Sequence, residues 1–211
     1  MVASDSIEEI DKPPNFDVYR TIVLGHYMHY WGAPRCRHVI RIGSDQSVIE
    51  IYAFPPTSST QPYRIASVGL AEKIKADGER EGKEYFMVLP DDLGGADLEE
   101  VFIYFASIAV HIVKNVRRSC HLPRLLGPSP LAPAQWTTKA SLIDEATGEC
   151  EDFGTAQIDD KFEIEIEWLI PLTEAEYKFI LEKGIHPFDD LVQTYEESLV
   201  DVNRAGLVKP H

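Results

Sequence analysis

Residues 164–184 read IEIEWLIPLTEAEYKFILEKG, and this stretch decides the fold because it is a strand running directly into a helix. Ile164, Ile166 and Trp168 alternate with Glu163, Glu165 and Glu167, the period of a half-buried strand that shows one face to water. Leu169 and Ile170 make the apolar run continuous, and Pro171, which has no amide hydrogen to donate, is predicted to end the pairing. Thr173 can cap the next helix, with Glu176 three residues on to complete a capping box. Gly184 supplies a left-handed stop. Tyr177, Ile180 and Leu181 sit at helical spacing on one face, so strand and helix are expected to share a core. The segment holds nothing nucleophilic or metal-binding and reads as scaffold.

Around this unit, 211 residues make room for one large domain or two small ones, and since no internal stretch reads as a linker a single domain is expected. The expected organisation is a disordered lead-in over 1–14, a domain over 15–204 and a polar tail over 205–211. With 44% hydrophobic and 26% charged residues the composition is that of an ordinary globular protein. The net charge of -15 argues against non-specific nucleic-acid binding, which needs excess Lys and Arg to neutralise phosphates. It favours solubility or a basic partner. Cys36, Cys120 and Cys150 cannot all pair within one molecule and show no CxxC spacing, so neither a zinc site nor a redox motif is indicated. The acidic start is wrong for a secretory signal. The most apolar run, Val101 to Val113, falls short of the roughly 20 residues that span a bilayer. A cytoplasmic protein with reduced thiols and no membrane association is expected.

Taken in order, the chain predicts a helix from about Asn15 to Tyr30, with Phe16, Tyr19, Val23, Tyr27 and Tyr30 as its apolar stripe and Gly32 at its end. His26 and His29 lack the context of a metal pair. The basic patch Arg35, Arg37, His38 and Arg41 reads as a solvated loop. Strands follow over Ser47–Phe54, Tyr63–Leu70 and Glu84–Leu89, with the rhythm of an antiparallel meander. Asp97 begins a helix with Glu100 in the capping-box position; Val101 to Val113 is apolar nearly all round, so His111 is expected to be a hydrogen-bonded core residue. Residues 119–136 form an irregular, proline-rich excursion. A fourth strand covers Thr137 to Ile143, and a short helix near Phe188 to Leu199 precedes a turn at Asp201–Arg204. The fold class is α+β within the α/β group: a mostly antiparallel central sheet flanked by helices.

No GxSxG and no cysteine motif is present, and Gly94-Gly95-Ala96-Asp97 lacks the lysine of a phosphate loop. No catalytic residue, cofactor or metal is therefore assigned. The paired acids Asp91-Asp92 and Asp159-Asp160 read as solvated caps. The strongest functional signal is the run from Asp144 to Glu167, where Asp144, Glu145, Glu149, Glu151, Asp152, Asp159 and Asp160 accumulate around one base, Lys161. That run, with the water-facing strand beside it, is the candidate docking surface for a basic protein. The competing expectation is a small-molecule-binding protein or hydrolase with a pocket under the loop 119–136 and carboxylates at its rim.

The order and spacing of several landmarks resemble the Suppressor of fused domain family from about Asn15 to Arg204. These are the Tyr30-Trp31-Gly32 helix exit, IEIYAFPPT, YRIASVGL, EYFMVLPDDL, the long apolar helix, the proline-rich loop and IEWLIPLTEAEYKFILEKG. Ala71 departs from the family, which usually has serine after Gly-Leu. The resemblance implies a mostly antiparallel sheet with flanking helices that acts as a protein-binding module, not an enzyme. Animal relatives restrain transcription factors of the Hedgehog pathway by gripping a peptide between this domain and a second one, which is not expected in this sequence. Stand-alone bacterial relatives are associated with immunity to polymorphic toxins, so the resemblance implies a toxin domain as partner.

Overall fold

The computed structural model describes residues 15–42, 47–58, 61–73, 80–115, 124–160, 162–195 and 198–208; the predicted lead-in 1–14 and Lys161 lie outside them. In chain order the elements are α1 (Phe16–Trp31), β1 (Cys36–Ile42), β2 (Ser47–Phe54), β3 (Tyr63–Val68), β4 (Lys83–Leu89), α2 (Leu98–Asn115), β5 (Arg124–Leu126), β6 (Thr138–Glu145), β7 (Thr155–Gln157), β8 (Glu163–Thr173), α3 (Glu174–Lys183) and α4 (Ile185–Thr194). The eight strands form one sheet in the order β1-β2-β3-β4-β8-β6-β5, with β7 paired to β8. Every ladder is antiparallel except β4 with β8, where Lys83 to Phe86 run parallel to Glu165 to Trp168. The α+β reading with a mostly antiparallel sheet therefore holds.

Alternation along the strands sorts side chains onto two cores. Ile49, Ile51, Ile65, Tyr85, Met87 and Leu169 face α2, whose Val101, Phe105, Ile108 and Ile112 are buried against them. Tyr52, Phe54, Phe86, Ile164, Ile166 and Trp168 face the other way, where α1, α3 and α4 contribute Tyr19, Tyr27, Ile180 and Phe188. A sheet covered on both faces needs apolar residues at consecutive positions, which is why β8 loses its alternation from Trp168 onward. Each fully buried aliphatic or phenylalanine side chain contributes roughly 1.5–3 kcal/mol, enough for two layers of helix to hold the sheet.

The strand–helix unit forms largely as predicted. Thr173 and Glu176 make the reciprocal capping box, and Gly184, at φ 85°, ends α3. Three expectations within it fail. Pro171 does not end the pairing: β8 continues to Thr173, with Pro171 opposite Ser141. Its carbonyl accepts from Arg204 Nη2 at 2.6 Å; since a residue's N–H and C=O point to the same side of a strand, the missing donor faces Arg204 and not β6. Leu181 is exposed, so the apolar face of α3 is Ile180 with Tyr177. Glu167 does not face water either, being 2% exposed with the Lys83 and Arg124 side chains paired to it.

Elsewhere Arg37, His38 and Arg41 of the basic patch lie not in a loop but in the edge strand β1, with Arg35 just before it, and the excursion 119–136 contains β5; its residues 119–123 lie outside the described ones. His111 is exposed near the end of α2 and bonds Asn115, not the core. The predicted turn at Asp201–Arg204 is present, and Arg204 is drawn fully inside. Its guanidinium pairs with Glu176 at 3.1 and 2.8 Å and donates to the Leu199 and Asp201 carbonyls at 2.9 and 3.0 Å. Leu207, in the predicted polar tail, is buried and donates its N–H to Glu176 at 3.0 Å.

Candidate functional site

The acidic run is an excursion from a single lane of the sheet. β6 lies beside β8 as far as Glu145, opposite Glu167; the chain then leaves, makes a 3-10 turn at Glu151–Gly154, and rejoins the same side of β8 as β7, with Thr155 opposite Glu165. Phe153 holds the excursion in place. It is wholly buried, with ring centroids 4.7 Å from Trp31 and 5.2 Å from Phe86. His26 of α1 donates from Nε2 to the Phe153 carbonyl at 2.9 Å. Burial pushes the His26 imidazole below its ordinary value, and the Phe153 carbonyl pulls the other way, so a neutral ring with its proton on Nε2 fits the site.

The seven carboxylates singled out in the sequence do not form one cluster. Glu149 is a clamp: it accepts from Arg64 Nε at 2.7 Å, Arg64 Nη2 at 3.3 Å and Trp31 Nε1 at 3.1 Å, while the same guanidinium lies 5.3 Å over the Trp31 ring. Glu145, Glu149 and Glu151 line one wall of an open cleft of about 540 Å³ whose other wall is Thr155 and Glu165 to Glu167. Asp152 is exposed on the 3-10 turn; Asp159 and Asp160 sit on the exposed turn into β8, where Asp159 Oδ1 accepts from the Phe162 N–H at 2.9 Å. Asp144 points away toward α4. Partial burial pushes its carboxyl up, opposed by the Glu145 N–H and reinforced by Asp189.

At the floor of the cleft lies a buried ionic network. Glu167 is held by Lys83 and by Arg124, Arg124 donates to the Tyr85 hydroxyl at 2.9 Å, and that hydroxyl donates to Glu81. Lys83 also reaches Glu165 at 2.6 Å. Burial pushes Glu167 up and the two cations pull it down; burial, with Glu81 and Glu167, pushes Tyr85 well above the usual phenol range. The cleft thus has a neutralised floor and an acidic rim. Its free thiol, Cys150, is exposed, and an acidic rim over a neutralised floor can attract a cationic surface electrostatically.

A second cavity, about 370 Å³, lies under the proline-rich stretch, lined by residues such as Ser107, His111, Leu126, Pro128 and Leu131. Among the described residues it carries no carboxylate at its rim. Ser107 Oγ donates to the Tyr104 carbonyl at 2.7 Å and His111 Nδ1 meets the Asn115 amide at 3.2 Å, so neither is hydrogen-bonded to the other. Cys36 is likewise a free thiol, and no group of three metal-ligating side chains occurs among the described residues. No helix among them is long and apolar enough to cross a membrane.

Sequence reasoning missed Arg64, Lys83, Arg124 and Glu84. Glu84 is wholly buried and accepts four hydrogen bonds, from Tyr19 Oη and Ser67 Oγ at 2.5 Å each and from the Gly69 and Ala71 N–H groups at 2.7 and 3.1 Å. Gly69, at φ 100°, is needed there: a Cβ would sit 2.7 Å from the Phe16 ring. The available signal was a charge inside an apolar strand, Arg64 in YRIASV and Glu84 in KEYFMVL.

No protein-family model and no curated protein matches the sequence. Solved structures do. A putative Suppressor of fused homologue from Neisseria gonorrhoeae superposes with a TM-score of 0.68 at 17% identity, covering 93% of this chain and 100% of that one. Suppressor of fused in the Sufu–Fu complex superposes with a TM-score of 0.51 at 12% identity, covering 86% of each chain. At these identities the likeness is one of architecture, and on that ground the chain has a Suppressor of fused-like fold.

Proposed function

We propose that the protein is a non-catalytic protein-binding module whose acidic loop docks a basic partner, in the manner of an immunity protein covering a toxin domain. The observation that carries this reading is the contrast within residues 144–160. Phe153, Glu149 and His26 fix the backbone of the loop, while Glu145, Glu151, Asp152 and Asp160 are left in water with no cation on them among the described residues. A loop held in one shape loses little entropy on binding, and its unpaired charges raise the association rate of a positive surface. A shared architecture with a protein solved in a protein complex supports binding as the activity.

The test begins with the partner that co-purifies from the native host, identified by mass spectrometry. Its association with the wild-type chain and with an E145Q/E151Q/D152N/D160N variant is followed by stopped flow over a salt series. The variant is expected to associate at least tenfold more slowly at low salt, with a flatter salt dependence. Unchanged rates and slope would remove the acidic loop as the docking surface. Protection of cells by co-expression with the partner tests the immunity role separately; growth arrest that persists despite tight binding would remove that role and leave the binding.

A further inference from the structure

The opposite end of the sheet carries a second, oppositely charged surface. β1 is an edge strand that pairs with β2 alone, and the outward row of its backbone groups meets no partner among the described residues. Such a row is a template for one more strand. On the α2 side of β1, Cys36 and Ile40 pack against the core and the His38 ring stacks on Phe102 at 5.4 Å. The other side, in register with Tyr52, Glu50 and Val48, presents Arg37, Val39 and Arg41, all exposed. Glu50 is shared by two guanidiniums, Arg37 at 3.1 Å and Arg20 at 3.5 Å. Asp17 is paired with Arg20 at 3.0 Å, and Arg41 has no carboxylate partner among the described residues. Among the described residues, cation is thus in excess at this edge of an acidic protein.

A second copy of the chain fits poorly, because β1 paired antiparallel with itself about Val39 sets Arg37 against Arg41 at both ends. We propose that β1 takes up, by strand addition, an extended segment of a partner protein that carries a carboxylate two positions to either side of an apolar residue. The carboxylates meet Arg37 and Arg41, and the apolar residue covers Val39. The pattern is the same read in either direction, so the segment can add parallel or antiparallel. The acidic cleft does not forbid this: its strand wall, β8, is four strand spacings from β1, about 19 Å, beyond the screening length of about 8 Å at physiological ionic strength, and Glu149, which reaches in to β3, is paired there with Arg64.

The probe is a fluorescein-labelled threonine-rich peptide with a central valine and a glutamate two positions to each side, titrated against the full chain by anisotropy. A peptide with lysines in place of the glutamates is titrated in parallel. The acidic peptide is expected to bind saturably and at least tenfold more tightly than the basic one, and Arg41→Glu to abolish that preference. Amide hydrogen exchange on the unmodified chain, with the acidic peptide present, is expected to slow at Cys36–Ile42 and not at the acidic loop. This footprint decides the matter alone if the variant does not fold. Equal binding of the two peptides, a preference that survives Arg41→Glu in the folded variant, or protection away from β1 would each overturn the proposal.

Discussion

Glu176 and Glu84 are both sealed from solvent, yet the chain satisfies them by opposite means. Glu176 meets a guanidinium edge-on, with two bonds from Arg204, and adds the Thr173 and Leu207 N–H groups at 2.7 and 3.0 Å. Glu84 meets no cation among the described residues and is held by two hydroxyls and two backbone N–H groups. Both tie distant segments: Glu176 joins the start of α3 to the C-terminal turn, and Glu84 joins α1 to the turn after β3. The difference lies in what each arrangement asks of the carboxyl group. A buried ion pair holds only while both charges are present, whereas a set of neutral donors accepts a carboxylate but also tolerates its protonated form.

The largest expected effect comes from breaking the ion pair. Arg204→Ala leaves the Glu176 carboxylate in the core without its cation and frees the Leu199, Asp201 and Pro171 carbonyls, a loss of about 3–5 kcal/mol in urea unfolding. The double variant Glu176→Leu with Arg204→Met, which removes both charges and keeps volume, should recover most of that loss. A double variant as unstable as the single one would show that the backbone contacts, not the charges, carry the energy. Next in size is Ser67→Ala. Ser67 Oγ donates to Glu84 and accepts from the Tyr85 N–H at 2.9 Å, so its removal leaves two buried groups short of a partner, about 1–3 kcal/mol. A loss as large as that of Arg204→Ala would erase the distinction between the two sites.

Much of this frame was legible because it is local. The capping box at Thr173 and Glu176, the stop at Gly184 and the strands ending at Phe54 and Leu89 follow from residues within a few positions of one another. The failures are non-local. Two arginines and a histidine disguised β1, whose partner β2 supplies the apolar surface that makes it a strand. Pro171 is tolerated in β8 because Arg204, 33 residues away, uses that side of the backbone. Glu149 looked like any other acid of its loop until Arg64, 85 residues away, was brought to it. The exposed carboxylates of the candidate site were legible as charge; which of them are clamps and which are free depended on contacts that no periodicity encodes.

The smallest effect is the most diagnostic, because it concerns sign. Burial pushes the Glu84 carboxyl above the ordinary glutamate value, although each of its four donors pulls it down. A group whose folded value is raised binds its proton more tightly folded than unfolded, so its contribution to stability is complete below the unfolded value and is lost as pH rises through the folded one. Glu84→Gln imitates the protonated acid: the amide oxygen can keep the Tyr19, Gly69 and Ala71 donors, and Ser67 can turn its proton to the Tyr85 carbonyl, 3.3 Å away. The variant should therefore cost about 1 kcal/mol at acid pH. The gap should narrow as pH rises through the window above the ordinary glutamate range, by about 1.4 kcal/mol for each unit by which the value is raised. Urea midpoints of both proteins across that window decide it. A gap that widens with pH would mean that the four donors overcome burial and hold Glu84 charged without a cation, leaving Glu84 and Glu176 alike in charge and different only in partner.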